Sequence, residues 1–221
     1  MFKTETHAHT SEGSACGRMT AEELVRAYYA AGFKTLFISN HFTAKHIAAW
    51  GELNWEETID RFLLGYRNAK LVGDELGMHV LPAAEIGFDA TPELHYLVYG
   101  ISEAFLKAHP GLTAMDQEAF YEIANENGIL MIQAHPYRDG NTHVTPRTVD
   151  GFEVCNPNPR HNNYSHLAEE TAAQYRLYRT AGSDAHRPED VGQTAMVSAQ
   201  EIRTAEDYIR LVKSGTAVFG G

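Results

Sequence analysis

The sequence predicts an α/β barrel, and three features of the chain point to it. Short apolar or alternating segments that read as strands take turns with capped amphipathic segments that read as helices, in about seven units. No linker, repeat or low-complexity segment divides them, so a single domain over residues 1–221 is expected. A chain of 221 residues is long enough for one full core. Strands alternating with helices imply a parallel sheet with helices packed outside. With so many units, closure into a regular or distorted barrel is the expected form, and a doubly wound open sheet is the alternative.

The elements follow in order. Thr4 to His9 alternates like a strand and leads into a polar loop. Thr20 and Glu23 form a capping box, Leu24, Ala27, Tyr28 and Ala31 give the helix its apolar stripe, and Gly32 ends it. Lys34 to Asn40 reads as a buried strand. Asn54 with Glu57 opens a long helix that ends between Gly73 and Gly77. Met78 to Glu85 and Leu94 to Tyr99 are strands, followed by helices over Glu103 to Ala108 and Met115 to Asn127. Ile129 to Ala134 and Gly151 to Cys155 are short enough for strands, Asn162 to Tyr178 is helical, and Thr180 to Ser183 is a short strand. Thr194 to Val197 and Thr216 to Phe219 frame a last helix capped by Thr204.

Composition narrows the function. The formal charge of −11 argues against long nucleic acid as a partner, because a phosphate backbone demands a basic surface. No apolar run approaches the roughly 20 residues needed to span a bilayer, and Met1 to Thr6 lacks the apolar core of a signal peptide. Two cysteines, Cys16 and Cys155, make no disulfide framework, so a cytoplasmic location is expected, a single bridge between them being the weaker alternative. Neither shows a paired base, and both read as ordinary residues. Oligomeric state is left open.

The twelve histidines carry more information, since they are neither contiguous nor terminal. His7 and His9 close the first strand, His41 follows the second, Glu85 ends the third, His135 ends Ile132-Gln133-Ala134, and Asp184 and His186 follow Ala181 to Ser183. In a parallel barrel the carboxyl ends of the strands share one face. In His7-Ala8-His9 and Asp184-Ala185-His186 the i, i+2 spacing turns both polar side chains to one side. Any one of these has a bland explanation: His-x-His occurs on exposed strands, His135-Pro136 suits a turn, and Asp184 could cap. Five strand ends agreeing is what favours a shared metal site. His95 is the exception, since it sits early in its strand. Mixed imidazole and carboxylate donors suit zinc, iron or manganese rather than magnesium or calcium, with Glu85 as the candidate bridge between ions. His46, His79, His109, His143 and His166 read as surface or packing residues, while His161 is left open.

In this order the motifs His7-Ala8-His9-Thr10 with Ser11-Glu12-Gly13, Ser39-Asn40-His41, Ala84-Glu85, His95 before Tyr96-Leu97-Val98, Ala134-His135-Pro136 and Gly182-Ser183-Asp184-Ala185-His186 resemble those of the polymerase and histidinol phosphatase (PHP) family, over residues 1 to about 192. The resemblance implies a distorted (β/α)7 TIM-like barrel, two or three divalent ions (Zn, Mn or Fe) and phosphoester hydrolysis. It assigns one ion to His7, His9, Glu85 and Asp184, and a second to Glu85, His95 and His135. A third falls to His41 and His186 with the residue matching Glu12. The chain departs from the pattern where glutamate stands at Glu12 and asparagine at Asn40. Glu85, Asp184 and His186 are the expected catalytic residues, with a water bridging the ions as nucleophile. Phosphate also calls for arginine: Arg18, Arg138, Arg160 and Arg187 follow predicted strands, and Arg160 and Arg187 are the preferred pair. A small phosphomonoester such as histidinol phosphate, a nucleotide or a sugar phosphate is the leading substrate. Phosphotyrosine, a phosphodiester, or a catalytically silent metal-binding module are the alternatives. A zinc amidohydrolase also begins with His-x-His but relies on a ligating lysine, and no lysine here ends a predicted strand.

Overall fold

A computed structural model describes residues 1–220. The main sheet has the order β10-β9-β1-β2-β4-β5-β6-β7-β8, formed by β1 (Phe2–Glu5), β2 (Thr35–Ile38), β4 (His79–Gly87), β5 (His95–Tyr99), β6 (Leu130–Gln133), β7 (Gly151–Cys155), β8 (Tyr178–Ala181), β9 (Met196–Ser198) and β10 (Val218–Phe219). A two-residue strand, β3 (His41–Phe42), pairs with the far end of β4. Helices α1 (Ala21–Ala30), α2 (Ala44–Ala49), α3 (Trp55–Leu76), α4 (Glu103–Ala108), α5 (Gln117–Glu126), α6 (Ser165–Tyr175) and α7 (Ala205–Ser214) connect the strands. Among the described residues no helix is long and apolar enough to cross a membrane.

The sheet curls into a nearly closed, distorted barrel. It closes just beyond β1 and β8, where Ala8 and Ala185 form a parallel bridge, the Ala185 N–H donating to the His7 carbonyl and the His9 N–H to the Ala185 carbonyl, while β9 and β10 extend the sheet from β1. Glu5 organises this seam. Its fully buried carboxylate accepts the N–H groups of Thr6, His7 and Ser183 at 2.9 Å each and the Tyr28 hydroxyl at 2.8 Å. Because those amides bond to a side chain rather than to a neighbouring strand, the expected strand over Thr4 to His9 stops at Glu5. The barrel below the seam is filled, not hollow. Phe37, Tyr99 and Tyr208 pack edge-on or tilted with ring centroids 4.7–5.2 Å apart, and the Tyr99 hydroxyl donates to the Thr6 carbonyl.

Two strands depart from the all-parallel expectation: β9, which runs antiparallel to β1 and β10, and β5. β5 runs antiparallel to both β4 and β6, in register Gly87↔His95 and Glu85↔Leu97. The first residue of a reversed strand lies at the same face as the last residues of its neighbours. That reversal brings His95 to the ligand face although it opens its strand. Gly87 leaves it room, for a Cβ there would stand 3.2 Å from the imidazole.

Candidate metal centre

The structure brings His7, His9, His41, Glu85, His95, His135, Asp184 and His186 into one cluster at the barrel face. The ligand atoms of His7, His9, Glu85 and Asp184 lie within 4.8 Å of one another and all four residues are buried. These are the four that the motif resemblance assigns to one ion. Glu85 divides its oxygens between two neighbourhoods. Oε2 faces His7 Nε2 at 3.4 Å, His9 Nε2 at 3.3 Å and His41 Nδ1 at 2.8 Å, while Oε1 faces His95 Nδ1 at 3.0 Å and His135 Nε2 at 2.9 Å. Asp184 Oδ1 adds His7, His9 and His186 at 3.2–3.3 Å. A carboxylate so placed is suited to bridge two cations.

The donor chemistry fits ions. His7 Nε2, His9 Nε2, His41 Nδ1, Glu85 Oε2 and Asp184 Oδ1 are buried and, although 2.8–3.4 Å from one another, make no aligned hydrogen bond. Buried polar atoms are otherwise nearly always paired, and leaving one unpaired costs about 1–3 kcal/mol. Five such atoms converging on one space are explained together by cations they would ligate. Two residues of the cluster also carry backbone strain, His135 at φ 31° and Asp184 at φ 49°. Left-handed backbone at non-glycine residues costs on the order of 1–3 kcal/mol and persists where the surroundings enforce it.

Electrostatics point the same way. Burial opposes charge on Glu85 and Asp184, yet the surrounding histidines, with Arg138 beside Asp184, hold both carboxyls well below their usual range. Burial, only partly offset by Glu85, drives His41 down to about 3, and burial with His9 nearby drives His186 down to about 4. Neutral imidazole is the ligating form. Burial also opposes a proton on His7, but Glu153, Asp184 and Glu85 outweigh it and raise His7 well above the ordinary value. Glu153 went unnoticed in the sequence because it lies within an apolar strand. Its Oε1 sits 2.9 Å from His7 Nδ1 and its Oε2 accepts the His135 N–H and the Asn156 amide.

Other expected residues go elsewhere. Glu12 turns away from the cluster, and both its oxygens accept the Ala21 N–H at 3.0 Å, at the start of α1. Arg160 closes its fork on Asp190 with two 2.6 Å bonds. Arg138 donates to Asp184 Oδ2 at 2.7 Å and to Asn163. Arg187 is half exposed, 3.8 Å from Glu189, and Arg18 is exposed. All four arginines line a cavity of about 800 Å³ that opens from the cluster. Two residues read from sequence as unremarkable belong here instead. Cys16, a free thiol, places Sγ 3.1 Å from His186 Nε2, and His46 on α2 stacks on His41 at 4.6 Å. Sequence spacing held a hint, since both lie within seven residues of a motif histidine. The sequence signals no helix over Ala44–Ala49, yet that helix is what brings His46 back to His41.

Residues 162–217 match the family model PHP_C, described as PHP-associated. Solved structures similar in fold include the following three. One is a two-domain protein from Bacteroides vulgatus containing a predicted PHP-like metal-dependent phosphoesterase, with TM-score 0.70 and 16% identity, covering 99% of this chain. The chain spans only 64% of that protein's length. The chain has a PHP-like fold with a PHP-associated segment. Both findings support the PHP family read from the motifs. The second structure is an amidohydrolase from Chromobacterium violaceum with bound sulfate and no metal, with TM-score 0.57 and 15% identity, covering 94% of this chain and 95% of that one. The third is a lesion-specific endonuclease from Pyrococcus furiosus, with TM-score 0.59 and 15% identity, covering 99% of this chain and 57% of that one. No curated protein matches this PHP-like chain in sequence.

Proposed function

We propose that this chain is a metal-dependent hydrolase that cleaves a small phosphomonoester, of the size of histidinol phosphate, a nucleotide or a sugar phosphate. The observation that carries the reading is the convergence of five buried, unpartnered ligand atoms at the floor of an arginine-lined cavity. The neighbour described as a PHP-like metal-dependent phosphoesterase supports the reaction class. Bound divalent ions supply the Lewis acidity that activates a water and draws charge from the phosphoryl oxygens.

The protein's own groups do the remaining work. Glu85, Asp184 and His186 act as ligands that set where the reacting phosphorus sits. Arg138 holds Asp184 from the cavity side, fixing its second oxygen. Arg18 and Arg187, whose side chains are less committed, are the groups for the phosphate oxygens, matched by guanidinium geometry. Arg160 braces the loop through Asp190, which also accepts the N–H groups of His186 and Arg187. A cavity of about 800 Å³ accommodates a small molecule, and the charge of −11 weighs against a long nucleic-acid partner. Among the described residues no lysine lines the cavity, which favours a phosphate ester over the lysine-dependent amidohydrolase alternative.

Phosphate esters assayed with Mn²⁺, Zn²⁺ or Fe²⁺ test the proposal. Turnover of a monoester that disappears on chelation and in His135→Ala, with folding intact, is the expected result. A metal-loaded protein that turns over no ester in the panel would leave the silent binding module as the better reading.

A further inference from the structure

We propose that the ion position beside His41 and His186 is completed by the Cys16 thiolate and the His46 imidazole, giving it a sulfur–nitrogen donor set suited to zinc. The inference rests on reading the inner cluster as a metal centre and adds ligands that the motif resemblance does not supply. The carboxylate that the resemblance implies for this position is Glu12, and that group caps α1 instead. In its place, the ligand atoms of Cys16, His41 and His46 lie within 4.8 Å of one another, and His41 is shared with a second triad of His9, His41 and His186. Cys16 Sγ, at 3.1 Å from His186 Nε2, joins the two triads. The fully buried His9 Nε2 has no hydrogen-bond partner in the same cluster.

The imidazoles are set up to donate. His186 Nδ1 is 2.9 Å from the Asp184 carbonyl, which can only accept, so Nδ1 carries the hydrogen and Nε2 presents its lone pair beside the sulfur. His46 Nδ1 is held 2.9 Å from Thr43 Oγ1, leaving its Nε2 free. Fixing one ring nitrogen so that the other ligates is a recurrent feature of metal-binding histidines.

The loop that carries Cys16 is tied to this place. The Arg18 N–H donates to the His186 carbonyl at 2.7 Å, and the Gly17 N–H to the Ser14 carbonyl at 2.9 Å. A Cβ at Gly17 would lie 2.8 Å from the Thr10 carbonyl carbon, so glycine lets the loop fold back closely enough to bring the neighbouring cysteine to the cluster. Thiolate with imidazole is a zinc-type donor set, softer than the carboxylate it replaces.

Cobalt(II) loading of the full chain tests the assignment, with absorption spectra and elemental analysis of wild type, Cys16→Ser and Cys155→Ala. The expected result is a near-ultraviolet thiolate-to-cobalt charge-transfer band in wild type and Cys155→Ala that is lost in Cys16→Ser. Cys16 is on the surface, so unchanged melting of metal-free Cys16→Ser serves as the folding check. His46→Ala should weaken cobalt retention and diminish the band. Cobalt retained without such a band, or with the same band in Cys16→Ser, overturns the thiolate ligand while leaving the metal centre standing. No cobalt retained by wild type overturns this inference and the proposed function together.

Discussion

Glu153→Gln puts the support beneath the cluster to a quantitative test. The buried carboxylate receives His7 Nδ1 on one oxygen and both the His135 N–H and the Asn156 amide on the other. Each oxygen therefore faces donors. Glutamine keeps the shape but replaces one oxygen with an NH₂ group, which must confront either His7 or the pair His135 and Asn156. The first outcome inverts the tautomer that turns His7 Nε2 toward the ions, and the second leaves buried donors unpaired. Loss of a partner that orients a ligating histidine typically costs about 10–100-fold in metal affinity, or roughly 1.4–2.7 kcal/mol. The metal-free protein should lose on the order of 1–3 kcal/mol as well, from the unsatisfied donor. Zinc affinity measured by competition with a chromophoric chelator, alongside urea unfolding of the metal-free form, reads both effects. An unchanged zinc affinity would refute the claim that Glu153 orients His7.

Further outcomes follow from other contacts. Glu85→Gln removes the carboxylate that five imidazoles face, and elemental analysis after dialysis should show bound metal sharply reduced. Gly182→Ala would set a Cβ 2.5 Å from His7 Cβ and 2.6 Å from Glu153 Oε1, an overpacking that should cost about 1–3 kcal/mol in denaturant unfolding. Burial opposes the charge on Asp190, but Arg160 and two backbone amides outweigh it and hold its carboxyl below the ordinary range. Its contribution is therefore present at neutral pH and lost as pH falls below the ordinary aspartate value toward the lowered one. Asp190→Asn should accordingly reduce stability at neutral pH and make little difference in acid, as compared by urea melts at the two conditions.

The motif histidines were legible because strand ends are local signals: an apolar run followed by a ligand-type residue needs no tertiary knowledge. The capping boxes at Thr20, Asn54 and Thr204 were equally readable, and all three form. What escaped depended on partners distant in sequence. The reversal of β5 leaves no mark on its residues, since an antiparallel strand buried on both faces has the same apolar composition as a parallel one. Glu153 and Glu5 are acidic residues inside strands whose amide partners come from Ser183, His135 and the seam, which only folding brings together. Glu12 illustrates the opposite error: a motif position can hold a metal-type side chain that the local backbone engages first. Cys16 and His46 become visible only once the loop and the short helix return them to His186 and His41.

The reversed strand has an evolutionary consequence. β4 and β5 form a hairpin whose ladder fixes Glu85 and His95, while its connecting turn, residues 88–94, overhangs the cavity mouth with Glu93 and Leu94 in its wall. Insertions or substitutions in that turn can remodel which molecules are admitted without shifting the paired residues beneath. A lineage can thus vary what enters the cavity at this rim while the clustered residues beneath stay in register.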